Sequence, residues 1–218
     1  MMENRYDLVV FDVDGTLLDT TQGVLAGVKY TIEKMGYPEL KEEQMKSFIG
    51  PPIQDSFARM YGLQGPVLQE LATIFRDRYS QVDLLKAVPY DGIYKVFEKI
   101  QERGMKSAIA TYKREDYAIT LLKHFSFDLY TSVMYGADHE NKRKKKDIIQ
   151  ICMEALKIKN PKRAVMVGDT IHDALGAQEL GMDFIGVTYG FGFGKEEDMA
   201  LAKAVGWADK PEDLLLYL

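Results

Sequence analysis

The stretch Leu8-Val9-Val10-Phe11-Asp12-Val13-Asp14-Gly15-Thr16-Leu17-Leu18-Asp19 decides how the chain is read. Its opening apolar run is short and closed by a turn signal, which fits a strand buried on both faces of a parallel sheet. Two carboxylates, Asp12 and Asp14, arrive where that strand ends, and Gly15 turns the chain away. Ligands of open α/β sheets bind beyond the carboxyl ends of the strands, so chemistry is expected at this spot.

Two later stretches have the same build. Ala164-Val165-Met166-Val167-Gly168-Asp169-Thr170-Ile171-His172-Asp173 is a second apolar strand ending in carboxylates, and Ile109-Ala110-Thr111-Tyr112-Lys113 closes a third. Around them helix and strand patterns alternate: helices over 92–103, 114–125, 146–157 and 171–180, strands near 106–110, 130–135, 164–167 and 184–187. Such alternation implies right-handed crossovers and a parallel sheet covered on both faces. Residues 20–80 differ. There Val24, Val28, Ile32 and Met35 recur at helical spacing, and Val67, Leu68, Leu71, Ile74, Phe75 and Tyr79 make a second apolar stripe. With no convincing strand in it, the block reads as an all-helical insertion.

Composition narrows the function. A chain of 218 residues can hold one good core and a small inserted unit. A net charge of −5 argues against a broad grip on nucleic acid, which rests on many phosphate contacts. The single cysteine, Cys152, excludes an internal disulfide and a cysteine-rich zinc site; among Ile148, Ile149 and Leu156 on one helix, it is expected to pack in the core. His124, His139 and His172 show no metal-ligand spacing and read as surface or loop residues. No apolar stretch reaches membrane-spanning length and no leader-like segment precedes the first strand. The expectation is a cytoplasmic protein without a membrane or nucleic-acid partner, a monomer or weak homodimer.

The three strand ends, Asp12-x-Asp14-Gly15-Thr16-Leu17, Thr111 and Gly168-Asp169-x-x-x-Asp173, resemble the signature of the haloacid dehalogenase superfamily. Its common members are magnesium-dependent phosphatases that work through an aspartyl-phosphate. A calcium loop is the other reading of Asp-x-Asp-Gly, but the glycine comes too early and no glutamate closes a twelve-residue loop from Asp12. The resemblance implies an α/β fold: a Rossmann-like parallel sheet core with helices on both faces, formed by residues 1–17 and 87–218. An inserted all-helical cap domain takes residues 18–86.

Carried over by position, Asp12 is the nucleophile and Asp14 the general acid, then base. The phosphate contacts implied are Gly15, the Thr111 hydroxyl and the backbone N–H of Tyr112, whose side chain stands where Asn or Ser is more usual. A phosphate charge about 4 Å from a carboxylate is repelled by roughly 4 kcal/mol at an effective dielectric near 20, so a cation is required. Hard oxygen ligands select Mg²⁺. The resemblance assigns its ligands as the Asp12 side chain, the Asp14 backbone carbonyl and Asp169, with Asp173 holding a metal-bound water. For Asp173 alone, ordinary helix N-terminal charge is the plainer reading. The family also places one lysine on the phosphate. The run Lys142-Arg143-Lys144-Lys145-Lys146 offers several; the resemblance implies one two residues before an acidic-aliphatic helix start, and Asp147-Ile148-Ile149 as that start selects Lys145, while a one-residue slip would select Lys144 or Lys146. Lys113 reads as a surface lysine.

Phe48-Ile49-Gly50-Pro51-Pro52 resembles a cap-domain loop of phosphoglycolate phosphatase-like and nucleotidase-like members. Val187-Thr188-Tyr189-Gly190-Phe191-Gly192 resembles the loop after their fifth strand. Gly50, Pro51 and Arg59 are therefore expected to choose the substrate, a small phosphorylated metabolite, with phosphoglycolate first and a nucleoside monophosphate or pyrophosphate second. A phosphosugar mutase would use the same residues. A dehalogenase would not need Asp14, and a binding module without activity would not need the full set.

Overall fold

In the computed structural model, which describes residues 4–140 and 142–218, Leu8–Phe11 form strand β1, and all four residues are buried. The chain continues through β2 (Leu18–Asp19), helices α1 (Thr21–Met35), α2 (Glu42–Lys46), α3 (Ile53–Tyr61) and α4 (Pro66–Arg78), then β3 (Val88–Pro89). Strands and helices then alternate: α5 (Ile93–Glu102), β4 (Lys106–Arg114), α6 (Glu115–His124), β5 (Met134–Ala137) and α7 (Lys145–Ala155). After these come β6 (Ala164–Gly168), α8 (Ile171–Leu180), β7 (Asp183–Val187), α9 (Glu196–Ala202) and β8 (Gly206–Ala208). The main sheet has the order β5-β4-β1-β6-β7-β8, and its strands pair in parallel. From β1 the chain moves outward to β4 and β5, crosses back to β6, and continues outward on the other side. That reversal beside β1 is the switch point at which doubly wound sheets bind ligands.

Strand alternation decides which side chains meet which helices. Leu8 and Val10 of β1, Ala108 and Ala110 of β4, and Ala164 and Met166 of β6 share one core cluster with Ile148, Ile149 and Cys152 of α7 and Ala174 and Ala177 of α8. The same parity turns Asp12, one residue past β1, and Tyr112, within β4, toward α7 and α8. Phe11, of opposite parity, lies 4.8 Å from Phe97 of α5, ring centre to ring centre.

Three local departures from the periodicity have physical causes. The strand expected near 130–135 forms at Met134–Ala137, because the Thr131 hydroxyl donates to Ser107 O (2.7 Å) and its oxygen accepts the Val133 N–H (3.0 Å). Those bonds occupy the Val133 N–H and tie Thr131 to β4 through its side chain, so that only the Val133 carbonyl, which accepts the Ile109 N–H (2.9 Å), leads into the ladder. β4 runs on to Arg114, with an irregularity in its pairing to β5 between Ala110 and Arg114. An edge strand, β8, closes the sheet, although its three residues are too few to show a period.

The chain forms two compact units, residues up to Leu18 together with Pro89–Leu218, and Asp19–Val88. Within the second, Phe48 meets Phe57 edge-on at 5.0 Å and Phe75 stacks on Tyr79 at 5.4 Å. A π-helical turn, Tyr79–Asp83, prolongs α4 and buries the Asp83 carboxylate. Arg78 Nε (2.9 Å) and Lys86 Nζ (2.7 Å) neutralise it, as a buried charge requires. Among the described residues no helix is long and apolar enough to cross a membrane.

Gly186 of β7 pairs with Trp207 of β8, and a Cβ there would lie 2.2 Å from the indole. Gly186→Ala is expected to destabilise the protein by about 1–3 kcal/mol through overpacking. Gly194→Ala, where a Cβ meets nothing within 4 Å, is the control. Urea unfolding of both variants checks this, and equal midpoints would contradict it.

Candidate active site

The ladder that builds β1 also fixes its end: the Asp12 N–H donates to Val167 O (3.0 Å). One residue past β6, Asp169 follows Gly168, and α8 begins at once. A capping box starts that helix. The Thr170 hydroxyl (2.6 Å) and N–H (3.1 Å) both donate to Asp173 Oδ2, while Thr170 Oγ1 accepts the Asp173 N–H (3.4 Å). The Asp173 carboxylate is thereby held with Oδ1 facing Lys145 Nζ at 2.6 Å.

Lys145 is the first residue of α7 and its side chain is 3% exposed. Besides Asp173, its ammonium donates to Asp12 Oδ1 (2.6 Å) and to Ala110 O (3.0 Å). The other residues of the basic run point elsewhere: Lys142 pairs with Glu140, Arg143 with Glu115 (2.8 Å) and Lys146 with Glu179 (2.7 Å), while Lys144 is exposed. Burial works against the Lys145 charge, but Asp12 and Asp173 together hold its pKa above the ordinary lysine value.

Asp12, Asp169 and Asp173 each offer an oxygen, and these lie within 4.8 Å of one another. All three residues are buried. Burial first, then mutual repulsion with the neighbouring carboxylates, pushes the Asp169 pKa well up, and burial pushes Asp12 up against the pull of Lys145. Lys145 pairs with two of these carboxyls, and among the described residues no cation pairs with the third, Asp169, whose ionised form is costly in a low-dielectric setting. Asp169 Oδ2 accepts the Phe191 N–H (2.7 Å), whereas its Oδ1 is buried without a hydrogen-bond partner among the described residues. An all-oxygen donor set with an orphaned carboxylate oxygen fits a hard divalent cation.

Backbone closes tightly on this cluster. Gly15 has φ +77°, and a Cβ on it would lie 2.1 Å from Asp169 Oδ2; one on Gly190 would lie 2.4 Å from Asp169 Cβ. Gly190 and Gly192 after β7 are thus packing contacts of Asp169, whereas Gly194 is not. Thr111 is buried, and its Oγ1 accepts the Lys113 N–H (3.1 Å). Lys113, expected at the surface, has an 8% exposed side chain whose Nζ lies 3.0 Å from Asp14 Oδ1. Tyr112, expected to offer only its N–H, also has its phenolic oxygen 2.9 Å from the Lys145 N. Gly50, Pro51 and Arg59 belong to the second unit, where the Arg59 guanidinium donates to Ser47 O (2.9 Å). The core unit therefore brings together Asp12, Asp14, Gly15, Thr111, Tyr112, Lys145, Asp169 and Asp173. Cys152 is buried in the core, and its Sγ lies 3.3 Å from Ile109 O.

Comparison with known proteins agrees with this geometry. Residues 9–187 match the family model for haloacid dehalogenase-like hydrolases. A 5'-nucleotidase of Pseudomonas aeruginosa is 31% identical over 196 residues, covering 89% of this chain and 87% of that protein. The tyrosine-protein kinase PtkA of Mycobacterium tuberculosis is 32% identical over 186 residues, covering 85% of this chain; the match spans 63% of that longer protein. The crystal structure of a "predicted phosphatase" from Clostridium acetobutylicum superposes with a TM-score of 0.89 at 30% identity, covering 99% of this chain and 100% of that one.

A cation that binds the folded state alone stabilises it by about 2.7 kcal/mol at a hundredfold excess over Kd. Thermal unfolding is expected to shift upward when Mg²⁺ is added to metal-stripped protein. Asp169→Asn should remove that response while raising the metal-free midpoint, because it relieves carboxylate crowding. A variant that still responds to Mg²⁺ like the parent would contradict the assignment.

Proposed function

Because the chain belongs to the haloacid dehalogenase-like hydrolase family and is a phosphatase of that kind, we propose that it hydrolyses small phosphate monoesters with Mg²⁺ through an aspartyl-phosphate on Asp12. The observation that carries the reading is the ammonium of Lys145 held at 2.6 Å from both Asp12 and Asp173 inside a buried carboxylate cluster. Such an arrangement costs desolvation that a purely structural pair has no need to bear. Asp12 attacks phosphorus in line. Asp14 gives a proton to the departing oxygen and then takes one from the water that opens the acyl phosphate. Lys145 and the Thr111 hydroxyl cover the charge on the equatorial oxygens. Asp12, Asp169 and the Asp14 carbonyl would hold Mg²⁺, which would supply further neutralisation of negative charge in the site.

For the substrate we propose a small phosphorylated metabolite, selected by the second unit through Gly50, Pro51 and Arg59. Phosphoglycolate is favoured by the resemblance of the cap loop, and a nucleoside monophosphate by the nucleotidase relative. The kinase relative favours a second reading, in which the phosphoryl group passes to a hydroxyl other than water. Inorganic phosphate release from p-nitrophenyl phosphate and from a panel of phosphorylated metabolites tests the reading, and transfer to an acceptor without phosphate release would replace hydrolysis by the second one.

In the same assay Asp12→Asn is expected to abolish turnover, because an amide cannot form the acyl phosphate. Asp14→Asn should lose about 10²- to 10⁴-fold in kcat, the usual worth of positioned proton transfer. Full activity in the Asp12 variant would refute the mechanism.

Within the basic run, Lys145→Ala should cost far more activity than Lys142→Ala or Lys146→Ala, since those two lysines pair with Glu140 and Glu179 at the surface. Equal losses across the three would break the link between burial and role.

A further inference from the structure

Lys145 has a flexible four-carbon stem, so something must hold its ammonium between Asp12 and Asp173. Its backbone offers little of its own. The Lys145 N–H is among the first donors of α7, which have no partner inside the helix. The preceding residue, Lys144, has no side-chain acceptor to cap it. Asp147 takes the Lys144 N–H at 2.9 Å. The Lys145 N–H instead reaches out of its own helix to the phenolic oxygen of Tyr112, 2.9 Å away on β4.

The Tyr112 ring makes two further contacts. Lys145 Nζ lies 5.2 Å from its centroid, in the range of a cation–π interaction. The imidazole of His172, at the start of α8, meets the ring edge-on at 5.8 Å. On the far side Gly176 of α8 leaves room for the lysine stem, since a Cβ there would lie 2.8 Å from Lys145 Cγ. The stem is thus boxed between a tyrosine from β4 and a glycine from α8. Strand parity puts Tyr112 in this box, because it continues the row of Ala108 and Ala110 that packs on α7.

We propose that Tyr112 is a positioning residue for Lys145: its hydroxyl fixes the first turn of α7, and its ring fixes the direction of the ammonium. The proposal rests on the reading of Lys145 as the phosphate-facing lysine. An Asn or Ser at this position could not fill the same role, because neither carries a ring.

Tyr112→Phe keeps the ring and removes the tether. Three quantities test it: amide exchange at Lys145, kcat and KM on p-nitrophenyl phosphate with Mg²⁺, and the inhibition constant of orthovanadate, which mimics the five-coordinate phosphorus. Loss of one hydrogen bond is expected to speed exchange at Lys145 about 3- to 10-fold, and to lower kcat by a similar factor at nearly constant KM. The vanadate constant should rise by that same factor, which a mere loss of folded enzyme would not produce. Tyr112→Leu, without a ring, should lose more than Tyr112→Phe on all three. Unchanged exchange in Tyr112→Phe would overturn the proposal, as would unchanged kcat and vanadate binding. If the parent protein neither turned over phosphate esters nor bound vanadate, the hydrolase reading would fail; faster exchange at Lys145 would still uphold the tether, and unchanged exchange would overturn it.

Discussion

The structure of the site depends on one ammonium group. Lys145 Nζ touches a carboxylate at the end of β1, a carboxylate in the first turn of α8 and a carbonyl of β4. Three elements that meet nowhere else in sequence are thereby pinned to one atom. Removing that charge would leave Asp12 and Asp173 facing each other in a buried space, where repulsion is screened far less than at the surface. The sheet brings the pieces close, and the lysine makes their closeness tolerable.

The remaining negative charge has a different solution. Asp169 shares the cluster and, among the described residues, has no ammonium of its own and keeps one buried oxygen without a hydrogen-bond partner. Protein groups satisfy the rest of its valence, with Phe191 N–H on one oxygen and glycine backbone pressed against the other faces. The cluster thus has one counter-charge that is covalently part of the chain and an all-oxygen donor set that could hold a second one supplied from solution. The two differ in shape: the lysine reaches Asp12 and Asp173 from the side of α7, whereas a compact cation fits among carboxylate oxygens.

Much of this was legible in the sequence, and the exceptions are instructive. Parallel strands buried on both faces appear as unbroken apolar runs, so β1 and β6 and the carboxylates at their ends could be read directly from Leu8–Asp14 and Ala164–Asp173. Lys145 could be ranked above its neighbours only through the resemblance, by where related phosphatases place a lysine before a helix start, because a run of adjacent cations carries no periodic signal of its own. The pairing of Lys113 with Asp14 and the tether from Tyr112 could not be read. The first depends on how β4 continues past Ala110 through an irregular pairing, which local composition does not encode; for the second, parity gives the face on which Tyr112 lies but not the backbone N–H that its hydroxyl meets. The shift of β5 to Met134 escaped for a similar reason: one threonine hydroxyl, bonded across to Ser107, outweighs the β-propensity of the residues around it.

The order of strands has a consequence for how the protein acquires its activity. Asp12 and Lys145 are separated by 133 positions, and the strand that brings Asp169 beside them is the fourth of the main sheet to be made. Contacts so distant in sequence close late, since each carries the entropy of a long loop. A nascent or half-folded chain therefore holds its aspartates as ordinary solvated carboxylates, without a neighbouring ammonium and without the low-dielectric walls. The crowded carboxylate cluster is created by the last stages of assembly rather than carried by the polypeptide from the start, so the upward shift of its carboxyl pKa values serves as a reporter of completed folding.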